Sequence, residues 1–244
     1  MFKINKKVSA EIIQSTKAFH VGDFCYQGSH YYVKPDQEKV EILAYYLAKL
    51  AKLPALFYKS VSVRNVNYSV SLDMREKGSF LLAEDLFGNV YSIRSILEKI
   101  RSLTFYTKKI ELDFYQMYFF DLLFLNSDRY PRNFGFWKVN EQWNLVMFDH
   151  KMLFDVRGLI ALRFNYEGNF TLKTFYQDVS EFFSYLPDEV IEKFQEMLVT
   201  YNIDVVRNVI RQINPSMEEY YMNIYISHYE KIANLLSRGV NYGR

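Results

Sequence analysis

Three side chains, Asp128, Asn133 and Asp149, have the types and spacing to do chemistry, and all lie within residues 121–155. Asp128 and Asn133 occupy a loop after an apolar run, 112–125, that reads as a buried helix. Two β-prone runs between residues 134 and 148 flank Val139, Asn140 and Glu141 and predict a hairpin. Its return places Asp149 at the end of the second strand, beside the loop. A cluster of hard oxygens of this kind suits phosphoryl transfer, in which a carboxylate meets the acceptor hydroxyl while oxygen ligands hold magnesium on the phosphates. Asp128 is the candidate base, and Asn133 and Asp149 are the candidate magnesium ligands. An isolated Asp-x-x-x-x-Asn more often serves as a turn and cap, so the reading depends on the three residues acting together. Arg129 and Arg132 could contact a phosphate or a peptide substrate, or pair structurally with Asp121 or Asp155.

Other chemistries find less support. His20, His30, His150 and His228 lack metal-ligand spacing, which argues against zinc. No Gly-x-Ser-x-Gly turn presents a nucleophile for a hydrolase. Cys25 is the single cysteine and reads as structural. A formal charge of +2 gives no electrostatic reason to expect nucleic acid as a direct partner. The basic start is not followed by an apolar run of signal-peptide length, and the most apolar stretch is too short to span a bilayer, so a cytoplasmic protein is expected. The 21 Tyr and 21 Phe are spread through every segment, which points to an aromatic core rather than a base-stacking surface.

The elements that must position these residues fall into two groups. Between residues 17 and 34, short β-prone pieces separated by Gly22-Asp23 and Gln27-Gly28-Ser29 predict an antiparallel meander. Val40, Leu43, Ala44, Leu47, Leu50 and Ala51 keep helical spacing until Pro54. Further β-prone runs follow at 57–63, 68–72 and 79–87. From Ser92 onward the pattern is helical apart from the hairpin, with helices expected near 93–100, 112–125, 179–185, 187–201, 205–213 and 217–236. This order predicts an α+β chain of two lobes, a β-rich one over residues 1–86 and a larger helical one over 87–244.

The stretch Asn126-Ser-Asp-Arg-Tyr-Pro-Arg-Asn-Phe-Gly-Phe resembles the catalytic loop Asn-Thr-Asp-Arg-His-x-x-Asn-Phe-Gly of the bacterial HipA-like kinases. These are distantly similar to protein kinases and phosphatidylinositol kinases. Asp149 falls where the family's magnesium-binding Asp follows the hairpin. Lys34, in Tyr31-Tyr-Val-Lys-Pro, is similar to the strand lysine that reaches the ATP phosphates. Glu41 opens a segment similar to Glu-x-Leu-Ala-x-x-Leu-Ala-x-Leu-x-Gly-x-Pro, which implies a pair with Lys34; helical geometry sets Glu41 beside the apolar face. The resemblance covers roughly residues 15–155. It implies a bilobal protein-kinase-like fold, ATP and magnesium as cofactors, and backbone at Ala83, Glu84 and Asp85 joining the lobes and meeting adenine. The implied partners are a protein substrate with an acceptor Ser or Thr and, in a toxin or regulatory role, a cognate regulatory protein. A binding module with weak or lost transfer, or an enzyme with a non-protein acceptor, is the alternative.

The sequence also departs from the family's pattern. Tyr130 stands where the family often has His, and Lys52 where it often has Gly. His150 and Lys151 stand where many relatives carry small residues, a bulky pair expected to narrow the metal pocket. Ahead of Lys34, only Ser15, Thr16, Lys17 and Gly22 offer themselves as a phosphate loop.

Overall fold

The computed structural model describes residues 22–26, 29–63, 65–88, 90, 92–156 and 172–241. Ser15, Thr16 and Lys17 lie outside them, as does the whole β-prone piece at residues 18–21 ahead of Gly22, which itself opens the first strand.

Strands β1 (Gly22–Tyr26), β2 (Ser29–Pro35), β3 (Lys59–Val63) and β4 (Val66–Leu72) form an antiparallel sheet in the order β1-β2-β4-β3. Helix α1 (Val40–Leu50) connects β2 to β3. The register sets Tyr32 opposite Ser71 and Lys34 opposite Ser69. Because strand side chains alternate with a period of two, these four share one face.

The chain then passes to a second antiparallel sheet, made of β5 (Phe80–Leu82), β6 (Phe134–Val139) and β7 (Gln142–Met147) in that order. Helices α2 (Ala83–Phe87), α3 (Ile93–Arg101) and α4 (Lys108–Phe124) separate β5 from β6. The run 79–87 divides into a short strand and a helical turn, and its strand pairs with the hairpin rather than with the first sheet. Gly135 permits that pairing, since a Cβ there would lie 2.6 Å from the Leu81 carbonyl oxygen and from the Phe80 ring. The predicted hairpin turns at Asn140 and Glu141, with φ of 48° and 63°. Two successive left-handed residues match the right-handed twist of the strands they join.

Helices α5 (Leu172–Ser184), α6 (Asp188–Thr200), α7 (Ile203–Ile213) and α8 (Glu218–Asn241) complete the described residues. The first begins earlier than the 179–185 expected. Helix α4 is buried nearly all round, as its apolar sequence requires, with the Thr107 hydroxyl accepting from the Ile110 N–H to start it. Aromatic rings fill the space about α4: Phe119 stacks on Phe194 with centroids 4.1 Å apart, and Phe124 on Tyr225 at 5.3 Å. The apolar face of α1 belongs to the same continuous core. No described helix is long and apolar enough to cross a membrane.

Candidate active site

Lys34 sits one residue before the end of β2, buried, with its ammonium between two carboxylates. It forms an ion pair with Glu41 and a second with Asp149, at 2.7 Å to Oδ1. Glu41 reaches this point because Asp36 starts α1 just after the strand. The Asp36 carboxylate accepts from the backbone N–H groups of Val40 (2.7 Å) and Glu41 (3.2 Å), and from the Ser69 hydroxyl. These bonds satisfy donors that a helix start leaves open and place Glu41 in the first turn, facing the sheet. Burial opposes Asp36 ionisation and raises its pKa.

Glu41 is 1% exposed. Burial disfavours its charge, but the hydrogen bond with His150 and the positive Lys34 outweigh burial and hold its carboxyl down to about 2. Lys34 is the counterpart: burial opposes its charge, yet Glu41 and Asp149 keep its pKa above the ordinary lysine value. The pair is therefore ionic at neutral pH.

Asp149 ends the hairpin with φ of 55°, a left-handed conformation that Asp tolerates better than most residues. Its backbone N–H is hydrogen-bonded to the Tyr58 hydroxyl, and the Tyr58 ring lies 5.5 Å from Lys34 Nζ. His150, expected to crowd the metal pocket, turns the other way. Its backbone N–H donates to Glu41 Oε1 at 2.8 Å, and Nδ1 lies 3.3 Å from Oε2. The φ of Asp149 swings the chain so that successive side chains face opposite sides. Burial pushes the His150 imidazole below its ordinary pKa. Lys151 is exposed.

The loop carrying Asp128 and Asn133 follows α4, which ends at Leu125 in a left-handed cap. Arg129 organises it from within. Its guanidinium grips Asp121 with Nε and Nη2, at 2.8 and 3.1 Å, and Nη1 donates to the carbonyls of Asn133 (2.6 Å) and Phe148 (2.7 Å). Asn126 adds a third bond to Asp121, at 2.6 Å. Thus Arg129 ties the loop to the residue just before Asp149, and the Phe148 N–H donates to the Asn133 carbonyl at 3.1 Å. Of the roles open to Arg129 in sequence, the structure places it in the structural one. Asn133 donates from Nδ2 to the Asp128 carbonyl, which fixes its amide. The Asp128 carboxylate is half-buried and accepts from exposed Arg132 at 2.9 Å, while Arg132 also lies over the Tyr130 ring.

A cleft of about 390 Å³ opens beside this cluster, lined among others by Tyr32, Tyr58, Ser71, Phe148, Asp149 and Arg132. Of the three residues expected at adenine, Asp85 lines it, Ala83 is packed in the core, and Glu84 is half-buried in α2. Residues 72–75, where the chain leaves β4 for the second sheet, line it as well. Sequence reading passed over that segment. Its available signal was the turn at Asp73, whose carboxylate accepts from the Arg75 backbone N–H at 2.9 Å.

A small sheet with a strand lysine paired to a helix glutamate, set against a helical lobe, is the arrangement of the protein-kinase fold. Among solved structures, the chain matches the Helicobacter pylori proinflammatory kinase CtkA with a TM-score of 0.66 and 15% identity, over 92% of this chain and 97% of that one. It also matches HipA of Shewanella oneidensis MR-1, a toxin-antitoxin protein solved with HipB and operator DNA. That match has a TM-score of 0.63 and 12% identity, over 97% of this chain and 72% of HipA. The chain has the HipA-like kinase fold. No protein-family model and no curated protein matches its sequence.

Proposed function

We propose that this chain is an ATP- and magnesium-dependent phosphotransferase of HipA-like type, acting on a Ser or Thr hydroxyl of a protein. The observation that carries the reading is the meeting of Lys34, Glu41 and Asp149 in one ion-pair cluster, with the Asp128 loop fastened beside it by Arg129. Residue 149 is remote in sequence from residues 34 and 41, and a structural role alone gives no reason to bury a lysine between two carboxylates beside an open cleft.

The residues present fit a magnesium nucleotide. Asn133 and Asp149 offer amide and carboxylate oxygens, the hard donors magnesium prefers, and one or two protein oxygens suffice when phosphates supply others. Ser71 belongs to the cleft wall, and its buried hydroxyl has no hydrogen-bond partner among the described residues. Magnesium bound there would neutralise charge on the phosphate being transferred. Lys34 holds the phosphates and Glu41 holds Lys34. Residues 72–75 support the base together with Asp85, while Ala83 and Glu84 shape that wall from behind. Asp128 orients the acceptor hydroxyl and takes its proton, and Arg132 keeps the Asp128 carboxylate in place. The likeness to HipA suggests a cognate regulatory protein as a further partner, with the chain acting in the cytoplasm.

Incubation with terminally labelled ATP and magnesium tests this directly, and labelled protein is the expected result. ATP and magnesium together at 100 times the dissociation constant should stabilise the fold by about 2.7 kcal/mol. For a chain of this length that raises Tm by about 5–10 °C. No shift at millimolar nucleotide together with no label would refute the proposal.

A further inference from the structure

Resting on the phosphotransferase reading, the geometry points to His150 as a positioning residue, which fixes the Glu41 carboxylate and, through it, the ammonium of Lys34. Glu41 is sealed from water and must find partners for both oxygens inside the protein. Oε1 accepts from Lys34 and, at 2.8 Å, from the His150 backbone N–H. Oε2 faces His150 Nδ1 at 3.3 Å. The ring itself is 1% exposed and meets the Phe120 ring edge-on, with centroids 6.1 Å apart, so packing from α4 holds its orientation.

The same geometry selects a tautomer. An oxygen acceptor at Nδ1 requires a proton there, while Nε2 is buried without a hydrogen-bond partner among the described residues and so is left bare. His150 is next in sequence to Asp149, and Asp149 is the other carboxylate on Lys34. One residue therefore ties the first turn of α1 to the segment that carries the proposed magnesium ligand. Without the ring donor, Oε2 is left unpaired and the Glu41 carboxylate is free to rotate. Lys34 then loses the fixed point that holds it toward the phosphates, which matters more in the transition state than in ground-state binding.

Nitrogen NMR of the parent protein should show His150 as the neutral Nδ1–H tautomer, and a proton on Nε2 alone would overturn the proposal. His150→Leu keeps the backbone N–H and most of the volume but removes the ring donor. Its kcat should fall tenfold or more, while KM for magnesium-ATP changes less than threefold. His150→Asn restores an N–H near the position of Nδ1, and its kcat should stay within threefold of the parent. Leucine and parent rates within twofold of each other, or an asparagine variant as slow as the leucine one, would overturn the proposal. If the parent itself neither binds magnesium-ATP nor transfers phosphate, the phosphotransferase reading falls. Positioning is then judged by the Lys34 ammonium resonance, expected to exchange slowly in the parent and His150→Asn and quickly in His150→Leu. Equal exchange in all three would overturn it.

Discussion

Asp149 and Asp128 carry the same charge but face different partners, and the same substitution should separate them. Asp149 shares Lys34 with Glu41 and lines the cleft, whereas Asp128 meets Arg132 at the cleft's edge and lends its backbone carbonyl to Asn133. Asp149→Asn removes a charge from the proposed magnesium site and should abolish both the nucleotide-dependent rise in Tm and phosphate transfer. Asp128→Asn keeps the backbone carbonyl that orients Asn133 and should leave that rise intact. Its transfer rate should drop by about 10²–10⁴, the usual worth of a positioned acid–base group. Parallel thermal-shift and labelled-ATP measurements decide this, and variants that both transfer at the parent rate would end the assignment. Arg129 makes a different forecast, because its guanidinium and Asp121 are an ion pair sealed from water. Arg129→Leu leaves that carboxylate buried without its counter-charge, held only by Asn126, and should cost about 3–5 kcal/mol in urea unfolding.

Helix α1 ends in a motif that favours glycine where Lys52 stands. Beyond the last turn the Leu53 N–H bonds to the Ala48 carbonyl at 2.9 Å and the Lys52 N–H to that of Lys49 at 3.1 Å. This helix-ending motif puts Lys52 in the left-handed region, at φ 58°, where a Cβ is strained and glycine is not. Lys52→Gly should therefore stabilise the protein by about 0.5–1 kcal/mol despite glycine's greater freedom when unfolded. Gly135→Ala should do the reverse, since its Cβ would strike the Leu81 backbone, at a cost of about 1–3 kcal/mol. Urea denaturation measures both. Elements with strong local signals were legible in the sequence: the spacing of α1, the hairpin around Asn140 and Glu141, and the order of Lys34, Glu41, Asp128, Asn133 and Asp149. Features set by pairing across long separations were not. Nothing local tells Phe80–Leu82 to join β6 rather than β4, and nothing near His150 announces a glutamate 109 residues away. Residues 73–75 carry no functional signal in sequence because their role is created only when the second sheet closes beside them.

Across the whole molecule, the two lobes share one core and are fastened behind α1, so perturbations far from the cleft act on the entire fold. Tyr201 donates to the Leu47 carbonyl at 3.1 Å, Asn214 to that of Glu38 at 2.7 Å, and Tyr221 to the Glu38 carboxylate at 2.8 Å. His228 performs the equivalent service where α4, α5 and α8 meet. Its Nε2 must donate, since its partner is the Leu122 carbonyl, and its Nδ1 then accepts from the Tyr176 hydroxyl at 2.7 Å. A second proton would have to enter at Nδ1, at a site closed to water and near positive Lys231. Burial first, and Lys231 in addition, lower the His228 pKa to about 4 despite the opposing pull of the Leu122 carbonyl. An unfolded histidine titrates near its ordinary value of about 6.5. Between these two values the unfolded chain binds more protons, so stability rises with pH there. The His228 contribution is fully present above about pH 6.5 and is lost progressively as pH falls toward 4, an effect of about 3 kcal/mol. His228→Gln keeps an amide donor for Leu122 but cannot titrate, so it should lower stability at pH 7 and flatten this limb. Urea unfolding of both proteins at pH 7 and pH 4 cancels the carboxylates they share. The parent should lose about 3 kcal/mol more than the variant across that interval, and equal losses would show that His228 is not the group that titrates.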